Sequence, residues 1–374
     1  MKIVDLEFSN FRNYEHFELS EIGDLVVLHG PNAVGKTNVL EGIHLVTAAT
    51  SFRNAQIGQL VRQGSAHARI RADLRDEQRL ITTTLYMEEG KRRYQVNGKN
   101  KTASDVKGTL PAVSFIPDDL DLAKKSSSVK RNSIDNLGVQ LSKSYNVVYR
   151  DYEKALKYKN RLLKDDSPQS LIDAINETLL TVATQLYFYR RSLYERMVPL
   201  VQDHYGRLAQ SGEGFGASYL PSWLRVQERF PGLSYFSEES AKTLNRDEVR
   251  TYIYDALACF NAEEVRARRA FVGPHNDQIA FMLDGKDAAT FASQGQQRSI
   301  VLAWKLAEVQ LVKQMTGANP VLLLDDVMSE LDASRRDMLV EAVGDEVQTF
   351  ITATDLSAFN ESLLERAQIV RCGM

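Results

Sequence analysis

The sequence predicts an α/β protein, a mixed sheet with flanking helices interrupted by an inserted, mainly helical second lobe. Three observations carry that prediction. A short apolar run, Leu25-Val26-Val27-Leu28, leads through a glycine-bearing loop into a helical pattern. A second apolar run, Val321-Leu322-Leu323-Leu324, closes on Asp325 and Asp326. Between them, from Tyr145 onward, apolar positions recur at helical intervals instead of alternating.

Taken in order, Ile3, Asp5 and Glu7 alternate with Val4, Leu6 and Phe8 as in a strand, and Phe17 to Leu19 supplies a second strand after a polar turn. The apolar run at 25–28, bounded by Asp24 and Gly30, reads as a buried central strand. Leu40, Ile43, Leu45 and Val46 then predict a helix over 36–49. Strands follow at 82–86 and 93–96, with Glu89-Gly90 and Asn97-Gly98 as turns. Val148, Tyr152, Leu156 and Leu163 mark one amphipathic helix. Asp165-Asp166-Ser167-Pro168 interrupts it, and Leu171 through Leu193 resumes the pattern, so a short antiparallel hairpin arm is expected. Residues 211–240, rich in Gly, Ser and Pro, read as loop. After Gln278 come a strand with an Asp284-Gly285 turn, a helix over 294–315, a strand over 321–324, a helix over 335–343 and a strand over 348–351. The expected organisation is therefore an amino-terminal core segment 1–116, an inserted helical lobe 117–270 and a carboxyl-terminal core segment 271–374.

Composition narrows the function classes. A chain of 374 residues is two to three times a usual domain, and 43% hydrophobic with 25% charged residues excludes disorder and fibrous repeats. The net charge of −3, from 46 basic and 49 acidic residues, requires any nucleic-acid contact to come from local patches. Cys259 and Cys372 build neither a disulfide framework nor a thiolate zinc site, and the 6 histidines do not cluster, so no structural metal is expected. No stretch approaches the ~20 apolar residues of a membrane span, and a soluble, cytoplasmic protein is expected.

Gly30-Pro31-Asn32-Ala33-Val34-Gly35-Lys36-Thr37 fits G-x-x-x-x-G-K-[ST] between a strand and a helix, the context a phosphate loop requires. Its glycines let backbone N–H groups curl around phosphate oxygens at a helix start. Lys36 would reach the outer phosphates and Thr37 would hold Mg2+. Asp325, at the end of an apolar strand, would hold the metal through water, while Asp326, pointing the other way in an extended chain, would orient or deprotonate the attacking water. Ser293-Gln294-Gly295-Gln296 opens the helix that precedes this strand and, by itself, reads as a helix cap.

The order of these motifs, the inserted lobe, and the phrases Gly30 to Asn38, Ser51-Phe52-Arg53, Pro117-Asp118-Asp119-Leu120, Gly273-Pro274-His275 and Leu322 to Asp332 together resemble the RecF family of SMC- and ABC-type ATPases. The resemblance runs nearly end to end. It implies an ABC-type P-loop ATPase core using ATP and Mg2+, with Gly30, Asn32, Ala33, Gly35, Lys36, Thr37 and Asn38 around the phosphates. Ser293, Gly295 and Gln296 occupy the place of the ABC signature motif, which caps the γ-phosphate held by a second subunit. Ser329 and Asp332 resemble the D-loop that crosses such a dimer. Thr354 stands where many ABC ATPases carry a switch histidine, so the implied catalytic set is Asp326, Lys36 and Thr354. The resemblance further implies a weak, DNA-stimulated ATPase that forms a homodimer with ATP and binds double-stranded and gapped DNA. With RecO and RecR it would help load RecA in DNA repair and replication restart.

The chain departs from the family's pattern at three places. Asn276-Asp277-Gln278 replaces Arg-Asp-Asp after Gly-Pro-His, the basic stretch Lys130-Arg131-Asn132 is weaker, and Thr354 cannot carry a charge. For DNA, Arg92, Arg93, Lys99 and Lys101 flank a predicted hairpin. Lys154, Lys157, Lys159, Arg161 and Lys164, with Tyr152 and Tyr158 nearby, occupy the first arm helix. On the residues alone a solvated face balanced by Asp151 and Glu153 is the better account, and the resemblance is what implies DNA contact. A small-molecule kinase would share the phosphate loop but leave the Ser293 and Ser329 motifs without purpose. A transporter's nucleotide-binding subunit would not be expected to separate Lys36 from Asp325 by so long an insertion. A diverged relative in another repair or defence route keeps the same core.

Overall fold

A computed structural model describes residues 1–209, 212–224, 243–343 and 346–373. The chain divides into two compact units, one formed by Met1–Asp121 with Arg298–Met374 and the other by Leu122–Gln297.

The first unit contains two sheets. Strands β1 (Lys2–Phe11), β2 (Tyr14–Leu19), β4 (His67–Arg75), β5 (Leu80–Glu88), β6 (Lys91–Val96) and β7 (Lys99–Lys101) form an antiparallel sheet ordered β2-β1-β4-β5-β6-β7. A register shift between Ile3 and Asp5 buries Ile3 on the same side as Leu6 and Phe8, which strict alternation would have separated. Strands β3 (Leu25–His29), β8 (Ala112–Phe115), β12 (Val321–Asp325), β13 (Thr349–Ala353) and β14 (Gln368–Arg371) form the second sheet, ordered β14-β3-β13-β12-β8 and parallel throughout. Parallel strands are covered on both faces, which explains the unbroken apolar runs of β3 and β12. Helix α1 (Lys36–Thr47) touches strands of both sheets through Val39, Leu40, Ile43 and Val46, all buried. The Gln348 side chain ties the sheets at one end: it accepts from Ile3 N–H at 2.7 Å and donates to Ile3 O at 2.7 Å and Gly23 O at 3.0 Å.

The short helices α2 (Ile57–Leu60) and α3 (Ala103–Val106) connect strands of this unit, whose later part adds α10 (Ala333–Val343) and α11 (Glu361–Arg366). The second unit holds α4 (Ser127–Leu141), α5 (Lys143–Lys164), α6 (Gln169–Leu208) and α7 (Arg246–Ala267). A small sheet of β9 (Phe215–Leu220), β10 (Gln278–Leu283) and β11 (Lys286–Asp287) follows, with the short helix α8 (Ala288–Phe291) and the first turn of α9 (Gln294–Thr316). The unit extends past the expected boundary at 270 because β10 pairs with β9, Gln278 opposite Leu220, and so belongs with the helices. β9 lies inside the stretch expected to be loop: Gly216 and Ser218 mask an alternation in which Phe215 and Tyr219 are buried. The remainder of that expected loop, 225–240, lies outside the described residues. The hairpin arm is present, with Leu162 and Leu163 of α5 packed on Ile172 of α6, although α6 continues through Pro199 well beyond Leu193.

Buried charges organise this unit. Arg190 on α6 donates to both Asp135 oxygens at 2.9 Å and to Pro274 O at 2.6 Å. Asp277 lies 3.4 Å from the same guanidinium, accepts from Ser222 N–H at 2.7 Å and bonds the Tyr219 hydroxyl. Lys159 and Glu264 form a fully buried pair at 2.5 Å. Lys159 and Glu264 match one to one, while Arg190 serves two carboxylates, so removing either cation would strand its acids in a low-dielectric interior.

His275 sits beside this network as a neutral base. Its Nε2 lies 3.2 Å from Ala270 O and its Nδ1 2.5 Å from the Tyr152 hydroxyl, as the Nε2-protonated tautomer requires. Burial, and secondarily the charges of Arg131, Lys159 and Arg190, depress its pKa from 6.5 to about 4. The unfolded chain therefore binds this proton near pH 6.5 and the folded chain only near 4, so the contribution of His275 is complete above pH 6.5 and lost as pH falls toward 4. Between pH 6 and 5 the unfolding free energy of the parent relative to His275→Gln should fall by about 1.2 kcal/mol, measured by urea denaturation. A pH-independent difference would show that the folded protein holds this imidazole protonated.

Candidate nucleotide site

The phosphate loop runs from the end of β3 into α1, and two of its glycines are required by space as well as by conformation. Gly35, the N-cap of α1, has φ 111°, and a Cβ there would fall 2.6 Å from the Asn13 amide. Gly30 has φ 152°, and a Cβ there would meet Cys372 O at 2.8 Å. Ala33 at the loop's crest also has positive φ, and Asn32 beside it is exposed. Lys36 is folded into the loop, its Nζ donating to Gly30 O at 2.7 Å and Pro31 O at 2.9 Å. An ammonium held by main-chain carbonyls beside a helix start fits a polyphosphate.

Strand order brings the rest together. β13 lies between β3 and β12, so Leu28, Thr352 and Asp325 stand side by side at the carboxyl edge of the sheet. Thr37 Oγ1 donates to Asp325 Oδ1 at 2.7 Å, and Thr352 Oγ1 donates to the same oxygen at 2.9 Å. Burial raises the Asp325 pKa. The Thr37 and Thr352 hydroxyls and the charge of Arg53 oppose that rise, while Asp326 adds to it. A buried carboxylate and a hydroxyl in contact fit the chemistry of an oxygen-liganded divalent cation such as Mg2+.

Asp326 does not continue the strand. β12 ends at Asp325, and Asp326 takes a left-handed conformation, φ 54°, opening a turn over Val327–Ser329. The alternation expected of an extended chain is thus replaced by a turn. Its cause is local: Asp326 N–H donates to Thr352 Oγ1 at 2.8 Å, and Ser329 Oγ donates to Asp326 O at 2.8 Å. Thr352 therefore orients the Asp325 carboxylate and holds the Asp326 main chain. Sequence reasoning missed it and selected Thr354, which is exposed at the bend just past β13.

A second layer supports the loop. Asn13 donates to Val34 O at 2.8 Å and accepts from Asn38 at 2.8 Å, while Arg53 donates to Asn38 Oδ1 at 3.1 Å. Beneath them buried Glu41 receives Arg12 through two nitrogens, at 2.8 and 2.9 Å, and Ser51 Oγ at 2.5 Å. Ser51-Phe52-Arg53 is conspicuous as a phrase in the sequence, but its attachment to Glu41 and Asn38 is visible only in the fold.

The remaining expected residues fall elsewhere. Ser293 is exposed at the start of α9 and forms a reciprocal cap: Ser293 N–H donates to Gln296 Oε1 at 2.7 Å and Gln296 N–H to Ser293 Oγ at 3.2 Å. Gly295 lies within that turn. Asp332 caps α10 through Arg335 N–H at 2.9 Å and, like Ser329, is exposed. Of the basic residues, Arg92 is half-buried and donates to Ala55 O at 3.2 Å, and Arg93 stacks over Tyr86 at 5.0 Å. Lys154 lies 3.6 Å from Asp151, Arg161 lies 3.4 Å from Asp165, and Lys157 is exposed. Lys159 and Tyr152 are not on that surface: both are buried, one against Glu264 and the other against His275. Among the described residues no helix is long and apolar enough to cross a membrane, and no three or more His, Cys, Asp or Glu side chains gather as a metal site.

Comparison with known proteins matches residues 2–371 to the family described as the RecF/RecN/SMC N terminal domain. The chain is 33% identical over 377 residues to the DNA replication and repair protein RecF of Thermosynechococcus vestitus, covering 99% of this chain and 95% of that one. It belongs to the RecF family. RecF of Geobacillus thermodenitrificans is likewise 33% identical, covering 99% of this chain and 97% of the relative. A structure of the recombination mediator protein RecF-ATPrS in the RecFOR pathway superimposes with TM-score 0.85 at 26% identity, covering 96% of this chain and 94% of that one. The Smc head domain of Pyrococcus furiosus, at TM-score 0.51 and 13% identity, shares the fold. The RecF-family core is thus an SMC-like, ABC-type ATPase fold carrying an inserted lobe.

Replacing Thr352 by valine removes a donor to Asp325 and the acceptor of Asp326 N–H while preserving shape. Turnover of ATP should fall roughly tenfold or more, with nucleotide affinity retained within a few-fold. Phosphate release and calorimetry measure the two quantities, and parental turnover in Thr352→Val would remove Thr352 from the site.

Proposed function

We propose that the protein is an ATP-dependent, DNA-binding recombination mediator. In this reading it dimerises on ATP, binds duplex DNA near single-stranded gaps and works with RecO and RecR to help load RecA. The observation that carries the reading is the joining of Thr37 and Asp325, from separate segments, beside the Lys36 loop at one sheet edge. Backbone groups from Gly30 to Asn38 would cradle the triphosphate, with Lys36 exchanging carbonyl partners for phosphate oxygens. Thr37 and Asp325 would hold Mg2+, which when bound neutralises charge on the phosphate chain.

Hydrolysis would fall to Asp326, which the turn takes off the line of the strand and which would orient water and accept its proton. The turn of exposed Ser293 with half-buried Gly295 and Gln296 would close the γ-phosphate bound by a second copy, and exposed Ser329 and Asp332 would border that contact. Thr354, exposed and hydroxyl-bearing, would hydrogen-bond phosphate or water there. DNA would meet Arg92 and Arg93 in one unit and Lys154, Lys157 and Arg161 in the other through backbone phosphates, with a steep salt dependence. Turnover would be slow and DNA-stimulated.

Asp326→Asn should bind ATP normally, hydrolyse it slowly, sediment as a dimer in its presence and retain duplex and gapped DNA more tightly than single strands. Sedimentation and binding isotherms with and without ATP test this. A variant that remains monomeric with ATP, or holds DNA equally without nucleotide, would contradict the reading.

A further inference from the structure

The Ser293 turn is fixed by a carboxylate that none of the motifs contains. Gln296 caps the turn with its amide oxygen, accepting Ser293 N–H at 2.7 Å. Its amide nitrogen donates to Glu213 Oε1 at 3.0 Å, and the same oxygen accepts the buried Tyr205 hydroxyl at 2.8 Å. An amide has a donor end and an acceptor end of nearly equal shape, whereas an ionised carboxylate only accepts. Glu213 therefore decides which way the Gln296 amide faces: NH2 toward itself, oxygen toward Ser293 N–H. With that orientation set, Ser293 Oγ accepts Gln296 N–H at 3.2 Å and keeps its own proton for an anion.

Glu213 is itself held in place. The adjacent Gly214 donates to Asp284 Oδ1 at 2.8 Å and accepts from Asp284 N–H at 3.0 Å, while Gln202 Nε2 donates to Phe215 O at 3.1 Å. These bonds tie the segment before β9 to the β10–β11 turn and to α6. The chain then runs from that turn through β11 and α8 into Ser293, so the small sheet fixes both ends of the relay.

We propose that Glu213 is a positioning residue for the Ser293 turn, acting through Gln296 to preset it for the phosphate of a second copy. The proposal rests on the reading that this turn completes a partner's nucleotide site. Removing the carboxylate frees the Gln296 amide to rotate, leaves Ser293 N–H uncapped and costs ordering when the turn must engage.

The test compares the full-length parent, Glu213→Ala and Glu213→Gln, the last keeping an acceptor oxygen. Sedimentation across chain concentrations with a slowly hydrolysed ATP analogue reads dimerisation, and calorimetry of the monomer at low concentration reads affinity at the Lys36 loop. Glu213→Ala should weaken the nucleotide-dependent dimer roughly tenfold with monomer affinity unchanged, and Glu213→Gln should restore most of the loss. A Glu213→Ala dimer as tight as the parent's would overturn the positioning role alone. So would a loss of monomer affinity in the same proportion, which would mark a general structural role, or a Glu213→Gln defect as deep as alanine's. A parent that stays monomeric with the analogue would instead overturn the composite-site reading and this role with it.

Discussion

The hydrogen bond from Thr37 Oγ1 to Asp325 Oδ1 joins residues 288 apart in sequence, and the site depends on it. Neither partner is informative alone: a threonine at a helix start and an aspartate at a strand end are common. Their meeting requires β3 and β12 to run parallel with one strand between them, and that strand to end in a side chain short enough to bridge. Thr352 meets the last condition, because its hydroxyl donates to Asp325 while accepting the next backbone N–H. The left-handed turn at Asp326 carries that second bond, so one threonine holds the carboxylate of Asp325 and the main chain of Asp326.

The second unit is organised by buried charge. Arg190 joins Asp135 and Asp277 across α4, α6 and the turn after Gly273-Pro274-His275. The departures at Asn276 and Gln278 leave this network whole, since Asp277 is the member that carries it. Asn276 instead donates to Phe271 O at 2.8 Å, so the substituted position serves the turn itself.

Legibility in the sequence followed range. The phosphate loop could be read outright because its requirements are contiguous: glycines where backbone must approach, lysine and threonine at the helix start. Asp325 was readable because an apolar strand ending in an acid is also local. Thr352 was not, since its role exists only once β13 is inserted between β3 and β12, an order no local pattern encodes. Lys159 was misassigned to the solvated face for a similar reason: its partner, Glu264, lies on α7 far along the chain, and a lysine without a visible partner reads as exposed. Glu213 was hidden by the glycines and serines around it, which read as loop although β9 begins two residues later.

The central claim, that the Thr37–Asp325 contact is the metal seat of the nucleotide site, is tested most directly by the Mg2+ dependence of ATP binding. Calorimetric titrations of the parent, Thr37→Val, Asp325→Asn and the double variant, each with Mg2+ and with chelator, provide the cycle. The account predicts that Mg2+ tightens ATP binding to the parent, that each single substitution abolishes this gain, and that the double variant is no worse than either. A Thr37→Val protein that keeps the parental gain from Mg2+ would contradict it.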